Sequence, residues 1–98
     1  MNLIKSLKNT EIIFKGLASS KRLLILDALG QTKGLSLSEL SEFLHLNLKT
    51  AAEHCRRLEA AGLINKKKKG RKVIHTLTYL GRGMLSFVRR TKDLIERD

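Results

Sequence analysis

Between Lys66 and Lys72, six of seven residues are Lys or Arg, and the exception is Gly70. Such a run can neutralise a row of phosphates, and each neutralised phosphate releases condensed counterions. Lysine runs are also often plain solvated surface. The stretch before this one argues for more. Lys49, Thr50, Glu53, His54 and Arg57 fall on one side of a helix, opposite an apolar stripe of Leu48, Ala51, Cys55, Leu58 and Gly62. Lys and Arg donate to guanine O6 and N7, and Glu accepts from cytosine N4 or orients a neighbouring Arg56 or Arg57. Thr donates to a phosphate or touches a thymine methyl. The amides of Leu48 and Lys49, at the helix start, suit a phosphate. A mixed face of this kind reads bases, whereas flexible lysines hold a backbone.

These groups need elements to position them. The helix spans Asn47 to Gly62, with Asn47 as its N-cap. It is followed by strands Leu63 to Lys68 and Lys72 to Thr78, with Lys69-Gly70-Arg71 at the tip and Gly70 supplying the positive φ of the turn. Both faces of the second strand are partly apolar, Val73, His75 and Leu77 against Ile74, Thr76 and Thr78, so the inward face is open. Upstream, Ser36 and Glu39 form a capping box for a short helix over Leu37 to Leu44, with Leu37, Leu40, Phe43 and Leu44 on one face. His45-Leu46 is the tight turn between the two helices. Lys21 to Leu29 is apolar nearly all round, the mark of a central helix, with Ser19 and Ser20 as cap candidates and Gly30 at its end.

Two terminal helices complete the chain. The first lies within Met1 to Lys15, with Asn9-Thr10 as a candidate break and Gly16 as its end or joint. The last starts after Thr78 and runs from Tyr79 to Arg97, roughly 28 Å at the α-helical rise. Its apolar face is Leu80, Met84, Leu85, Phe87, Val88, Thr91, Leu94 and Ile95, and its far end would overhang a small domain. A second copy of the chain is the simplest cover, with Leu3 to Phe14 of the same subunit as the alternative. The expectation is therefore one domain over 1–98, mainly α with a small β-hairpin: an N-terminal helix within 1–15, a core over 17–78 with the hairpin at 63–78, and a C-terminal dimerisation helix over 79–98.

Composition agrees. The 98 residues are 42 % hydrophobic but only 4 % aromatic, without Trp or Pro, so a helical core of Leu, Ile and Ala is required. The net charge is +11, which points to a polyanionic partner. Residues 1–62 hold nine basic and six acidic side chains, while residues 63–98 hold eleven and three. The excess therefore sits in the hairpin and the last helix. A single Cys fits a reducing compartment. No signal peptide is expected, because Lys5 and Lys8 come at once after Leu3-Ile4. No apolar run nears the ~20 residues of a membrane span. The expected protein is soluble and cytoplasmic, with no membrane partner.

Leu17 to Leu29, LASSKRLLILDAL, resembles the first core helix of ArsR-type regulators. Ser38 to Ile64 resembles their helix-turn-helix, and the ending Leu58-x-x-Ala61-Gly62-Leu63-Ile64 before a basic hairpin is similar to their recognition-helix exit and wing. Leu77 to Leu85, LTYLGRGML, resembles the element opening the last helix of many MarR- and PadR-type proteins. The resemblance covers about Leu17 to Leu85 and implies a winged helix-turn-helix with terminal dimerisation helices. It implies a homodimeric regulator, more often a repressor, on pseudo-palindromic double-stranded DNA. Its DNA-facing residues would be Asn47, Lys49, Thr50, Glu53, His54 and Arg57, and on the wing Lys66, Lys67, Lys68, Lys69, Arg71 and Lys72. One departure is plain. Metal-sensing members carry a Cys-x-Cys pair in the helix before the recognition helix, and LSELSEFLHL has no Cys.

No metal or cofactor is expected. His45, His54, Cys55 and His75 offer no ligand pair at i,i+4 spacing, and Cys55 lies on the apolar stripe. No nucleophile–base set, phosphate loop or carboxylate pair marks an enzyme. A largely non-specific, architectural DNA-coating protein is the rival reading, but Glu53 in the groove disfavours indiscriminate binding, because phosphates repel it. An RNA-binding or protein-docking winged helix is the third. Few aromatics speak against single-stranded RNA, and protein docking leaves the Lys wing without a purpose.

Overall fold

Each helix begins at a polar side chain that accepts a hydrogen bond from an amide of its own first turn. Asn2, Ser19, Ser36, Asn47 and Thr78 cap α1 (Leu3–Leu17), α2 (Ser20–Gly30), α3 (Leu37–Leu44), α4 (Leu48–Ala60) and α5 (Tyr79–Glu96) respectively. Between α4 and α5 run β1 (Ile64–Lys69) and β2 (Lys72–Leu77), an antiparallel pair. This computed structural model describes residues 2–97. The chain is mainly helical with one small hairpin, as its sequence predicts. No described helix is long and apolar enough to cross a membrane.

The core is aliphatic, as the composition requires. Ile25 and Leu26 of α2, Leu40 of α3, Leu58 of α4, and Leu63 and Ile64 at the wing base are its largest fully buried side chains. The Ser36–Glu39 capping box is closed in both directions: the Ser36 amide donates to Glu39 Oε1 at 2.8 Å, and the Glu39 amide donates to Ser36 Oγ at 3.1 Å. Those Ser36 contacts, with Lys72 nearby, hold the Glu39 carboxyl below its ordinary range. His45, at φ 54°, makes the left-handed turn that reverses the chain between α3 and α4.

Several local expectations change. Asn9-Thr10 does not break α1: the Thr10 hydroxyl donates to Ser6 O at 2.8 Å and the helix continues. Gly16 is not a joint but lies in the last turn, where a Cβ would stand 2.8 Å from Ala61 Cβ. Its role is close packing of α1 against the end of α4. Phe43, expected on the inner face of α3, is 53 % exposed. The apolar stripe of α4 narrows to Ala51, Cys55 and Leu58. Leu48 is 52 % exposed, and Gly62 is exposed beyond the helix end. Alpha-2 is the central helix expected, burying Ile25, Leu26, Ala28 and Leu29, but it also buries a charged side chain, Arg22, at 8 % exposure.

The hairpin register settles which strand face is inward. Ile64 pairs with Leu77, Lys66 with His75 and Lys68 with Val73. His75 and Leu77 are buried, so the Val73-His75-Leu77 face is inward at the base and emerges toward the tip. Lys69 pairs with Lys72, leaving Gly70 and Arg71 as a two-residue turn with Gly70 at φ 66°. Leu35 adds a bridge that the sequence did not announce. Its amide donates to His75 O at 3.1 Å, and the His75 amide donates back at 2.8 Å. The wing is thereby tied to the segment entering α3.

Candidate nucleic-acid interface

Asn47 sets the start of α4. Its Oδ1 accepts from the Lys49 amide at 2.8 Å and from the Thr50 amide at 3.4 Å. Asn47 is therefore first a cap. Of the two amides expected at a phosphate, that of Lys49 is already engaged. Lys49, Glu53 and Arg57 stand exposed at i,i+4 steps, with Thr50 half-buried beside them. Glu53 Oε1 lies 3.8 Å from Arg57 Nη2. That exposed pair adds at most about 1 kcal/mol of stability. Its effect is to orient the arginine.

His54 is turned away from this face. It is half-buried, and its Nδ1 lies 3.1 Å from Arg22 Nη1. An arginine is always a donor, so Nδ1 is the acceptor and the proton sits on Nε2. Burial first, then Arg22 and Lys21, lower the His54 pKa from its ordinary value and keep the ring neutral. The same guanidinium donates from Nε to Gly16 O at 2.6 Å and from Nη2 to Lys15 O at 3.4 Å. One buried cation thus closes the C-terminal carbonyls of α1 and holds α4 through His54. Cys55, one residue on, faces the core, and burial pushes its thiol up to about 11. Among the described residues, no group of three His, Cys, Asp or Glu side chains could hold a metal ion.

The wing stands beside α4. Lys66 Nζ reaches Glu59 Oε2 at 3.8 Å, and Lys72 Nζ reaches Glu39 Oε2 at 3.7 Å. A groove of about 410 Å³ separates the two elements, lined by Ala52, Arg56 and Glu59 on one wall and Lys66, Val73 and His75 on the other. Lys67, Lys68, Lys69 and Arg71 are exposed and make no ion pair among the described residues. Lys68 shares the strand face of His75, whereas Lys67 and Lys69 share that of Ile74. Cations therefore project from both faces of the hairpin and from its tip.

Three features escaped the reading of the sequence. Arg56, read from the sequence only as a possible partner of Glu53, lies exposed on the wing side of α4, seven residues from Lys49 and hence on the same flank; that spacing was a usable signal. Leu48 fits the stripe by spacing, and only the fold exposes it. Arg22 carries no sequence signal at all, because its acceptors are backbone carbonyls and a histidine 32 residues away.

Known proteins share this outline. A family model for winged helix-turn-helix DNA-binding matches residues 19–65. The uncharacterized HTH-type transcriptional regulator YuzN of Bacillus subtilis (strain 168) is 39 % identical over 69 residues, 64 % of this chain and 75 % of that protein. Among solved structures, reduced HlyU from Vibrio cholerae N16961 is 29 % identical with a TM-score of 0.80, covering 91 % of this chain and 94 % of that one. The homodimeric winged helix-turn-helix DNA-binding domain of Mb0332 from Mycobacterium bovis has a TM-score of 0.84 at 23 % identity, covering 92 % and 83 %. That last likeness is one of fold.

Proposed function

The chain belongs to the winged helix-turn-helix transcriptional regulators, and from that membership we propose a sequence-specific, homodimeric regulator of double-stranded DNA. Alpha-4 enters the major groove, with Lys49, Thr50, Glu53, Arg56 and Arg57 toward base edges and flanking phosphates. The wing tracks the backbone and the adjoining minor groove through Lys66 to Lys69, Arg71 and Lys72. Asn47 acts by fixing the start of α4. His54 acts from behind it, as a support rather than a reader. The observation that carries this reading is the placement of the cationic hairpin alongside the exposed face of α4, its base anchored by buried Leu63 and Ile64 and Lys66 Nζ 3.8 Å from Glu59 Oε2.

Self-association is supported by the terminal helices. Leu3, Ile4 and Leu7 of α1 and Leu94 and Ile95 of α5 are all more than half exposed, an arrangement that a second copy would cover. The homodimer of Mb0332, a protein of the same fold, is in line with it. Alpha-1 and α5 are accordingly proposed as dimerisation helices, with repression through occupancy of the operator as the mode of action and the cytoplasm as its place.

Enrichment of bound duplexes from a random pool at near-physiological salt tests this. The expected product is an inverted repeat with half-sites about one helical turn apart. Tight binding with no enriched sequence would replace the proposal with the architectural reading. No duplex binding would end both.

A further inference from the structure

We infer that Leu48 is a specificity-determining residue that contacts the methyl group of a thymine in the major groove. The inference rests on the proposal that α4 reads DNA. A lone exposed leucine usually needs no explanation. This one sits at the first position of α4, where a recognition helix meets base edges. It is 52 % exposed, and it belongs neither to the core cluster nor to the partly buried side chains packed against that cluster. Folding therefore makes little use of it, although it stands three and seven residues before the buried Ala51 and Cys55.

Its position is also fixed. Asn47 Oδ1 holds the amides of Lys49 and Thr50, so the turn that carries Leu48 is held in helical geometry. An apolar side chain held there can make no hydrogen bond to a base edge. It gains by covering apolar surface, and in the major groove that surface is the C5-methyl of thymine. The neighbouring Lys49 supplies charge to the same base step or its phosphate. Together they favour a half-site in which thymine lies beside the base or phosphate met by Lys49.

The test uses the duplex enriched from a random pool. Each thymine of a half-site is replaced in turn by deoxyuridine, which removes the methyl and nothing else. Affinity is then measured for the full-length wild type and for Leu48→Ala. One position per half-site is expected to lose about fourfold in the wild type, and about fifteenfold when both half-sites are replaced, the values for one and two buried carbons. Leu48→Ala should bind the thymine and deoxyuridine duplexes equally. Leu48→Ser serves as a second variant, since Ser is also tolerated at a helix start and should be equally blind to the methyl. An enriched operator with no Leu48-dependent thymine effect would overturn this inference and leave the proposed function intact. A pool that yields no enriched sequence would overturn both.

Discussion

The hairpin tip and the far ends of α1 and α5 are both exposed, and they expose opposite chemistries. The tip carries Lys67, Lys68, Lys69 and Arg71 without ion-pair partners among the described residues. The terminal helices carry Leu3, Ile4, Leu94 and Ile95, each more than half exposed. A row of cations repels itself and gains when polyanion counterions are released. An apolar patch gains when it leaves water. Each surface thus specifies its occupant by the energy it lacks: DNA for the first, a second copy for the second. Between them, Arg22 ties α1 to α4, and the Thr78–Gly81 corner ties the base of the wing to α5.

This contrast between the surfaces can be broken at four places. The largest effect is expected at the wing. If Lys67, Lys68, Lys69 and Arg71 each meet a phosphate, a dimer neutralises about eight and the binding slope in log salt is near −7. Replacing all four with Gln should flatten that slope and weaken binding on the order of a thousandfold or more at ~0.15 M salt. A wild-type slope shallower than about −3 would remove the wing as a principal contact.

Next is the corner that ties the base of the wing to α5. A Cβ on Gly81 would overlap the Leu63 carbonyl, against which the start of α5 is packed. The Thr78 amide donates to Leu63 O at 3.1 Å, and the Thr78 hydroxyl donates to Gly62 O at 2.7 Å. Gly81→Ala is expected to cost about 3 kcal/mol in urea unfolding. Unchanged stability would mean that wing and α5 are not rigidly joined.

The third place is Phe87, whose ring centroid lies 6.1 Å from that of Phe14. Phe87→Asp puts a charge into the surface proposed for the second copy. Sedimentation velocity should show dimer affinity lowered on the order of a hundredfold, with the helical circular dichroism retained. An unaffected dimer would move the interface off these helices.

The smallest effect concerns His54. Its folded pKa lies below the ordinary 6.5, so the unfolded chain binds the proton first. The stability that comes from the neutral ring is complete above pH 6.5 and is lost as pH falls from there through the lower folded value. His54→Gln keeps an acceptor for Arg22 without a titrating group. The gap between the two unfolding-versus-pH curves should stay constant above pH 6.5 and change as pH falls below it; a gap that does not change with pH would contradict the assignment.

Much of this architecture was legible in local chemistry. Ser36 with Glu39, Asn47 and Thr78 announce their helices because a cap needs only residues within three positions of itself. The hairpin was legible from Gly70 between cationic strands. What failed to show depends on contacts across the chain. The spacing of Leu48 from Ala51 places it on the stripe, but only the packing decides that the core does not reach it. Gly16 marks the end of α1 as its sequence suggests, but only the fold shows Ala61 packed against it. His54 stands three residues after Ala51 and four before Leu58, a spacing that sets it beside the buried stripe, but its partner Arg22 comes from another helix. The inward face of β2 could not be chosen by alternation, because His75 is buried while its amide and carbonyl pair with Leu35.

The central claim is that α4 and the hairpin, and not the exposed ends of α1 and α5, meet DNA. Backbone amide NMR spectra of the protein, recorded while the enriched operator duplex is added, test it directly. The expected shifts fall on Asn47 to Arg57 and on Ile64 to Leu77, strongest at the hairpin tip, and leave the exposed ends of α1 and α5 unmoved. Shifts confined to α1 and α5, with Lys67 to Arg71 unchanged, would contradict the assignment of the two surfaces.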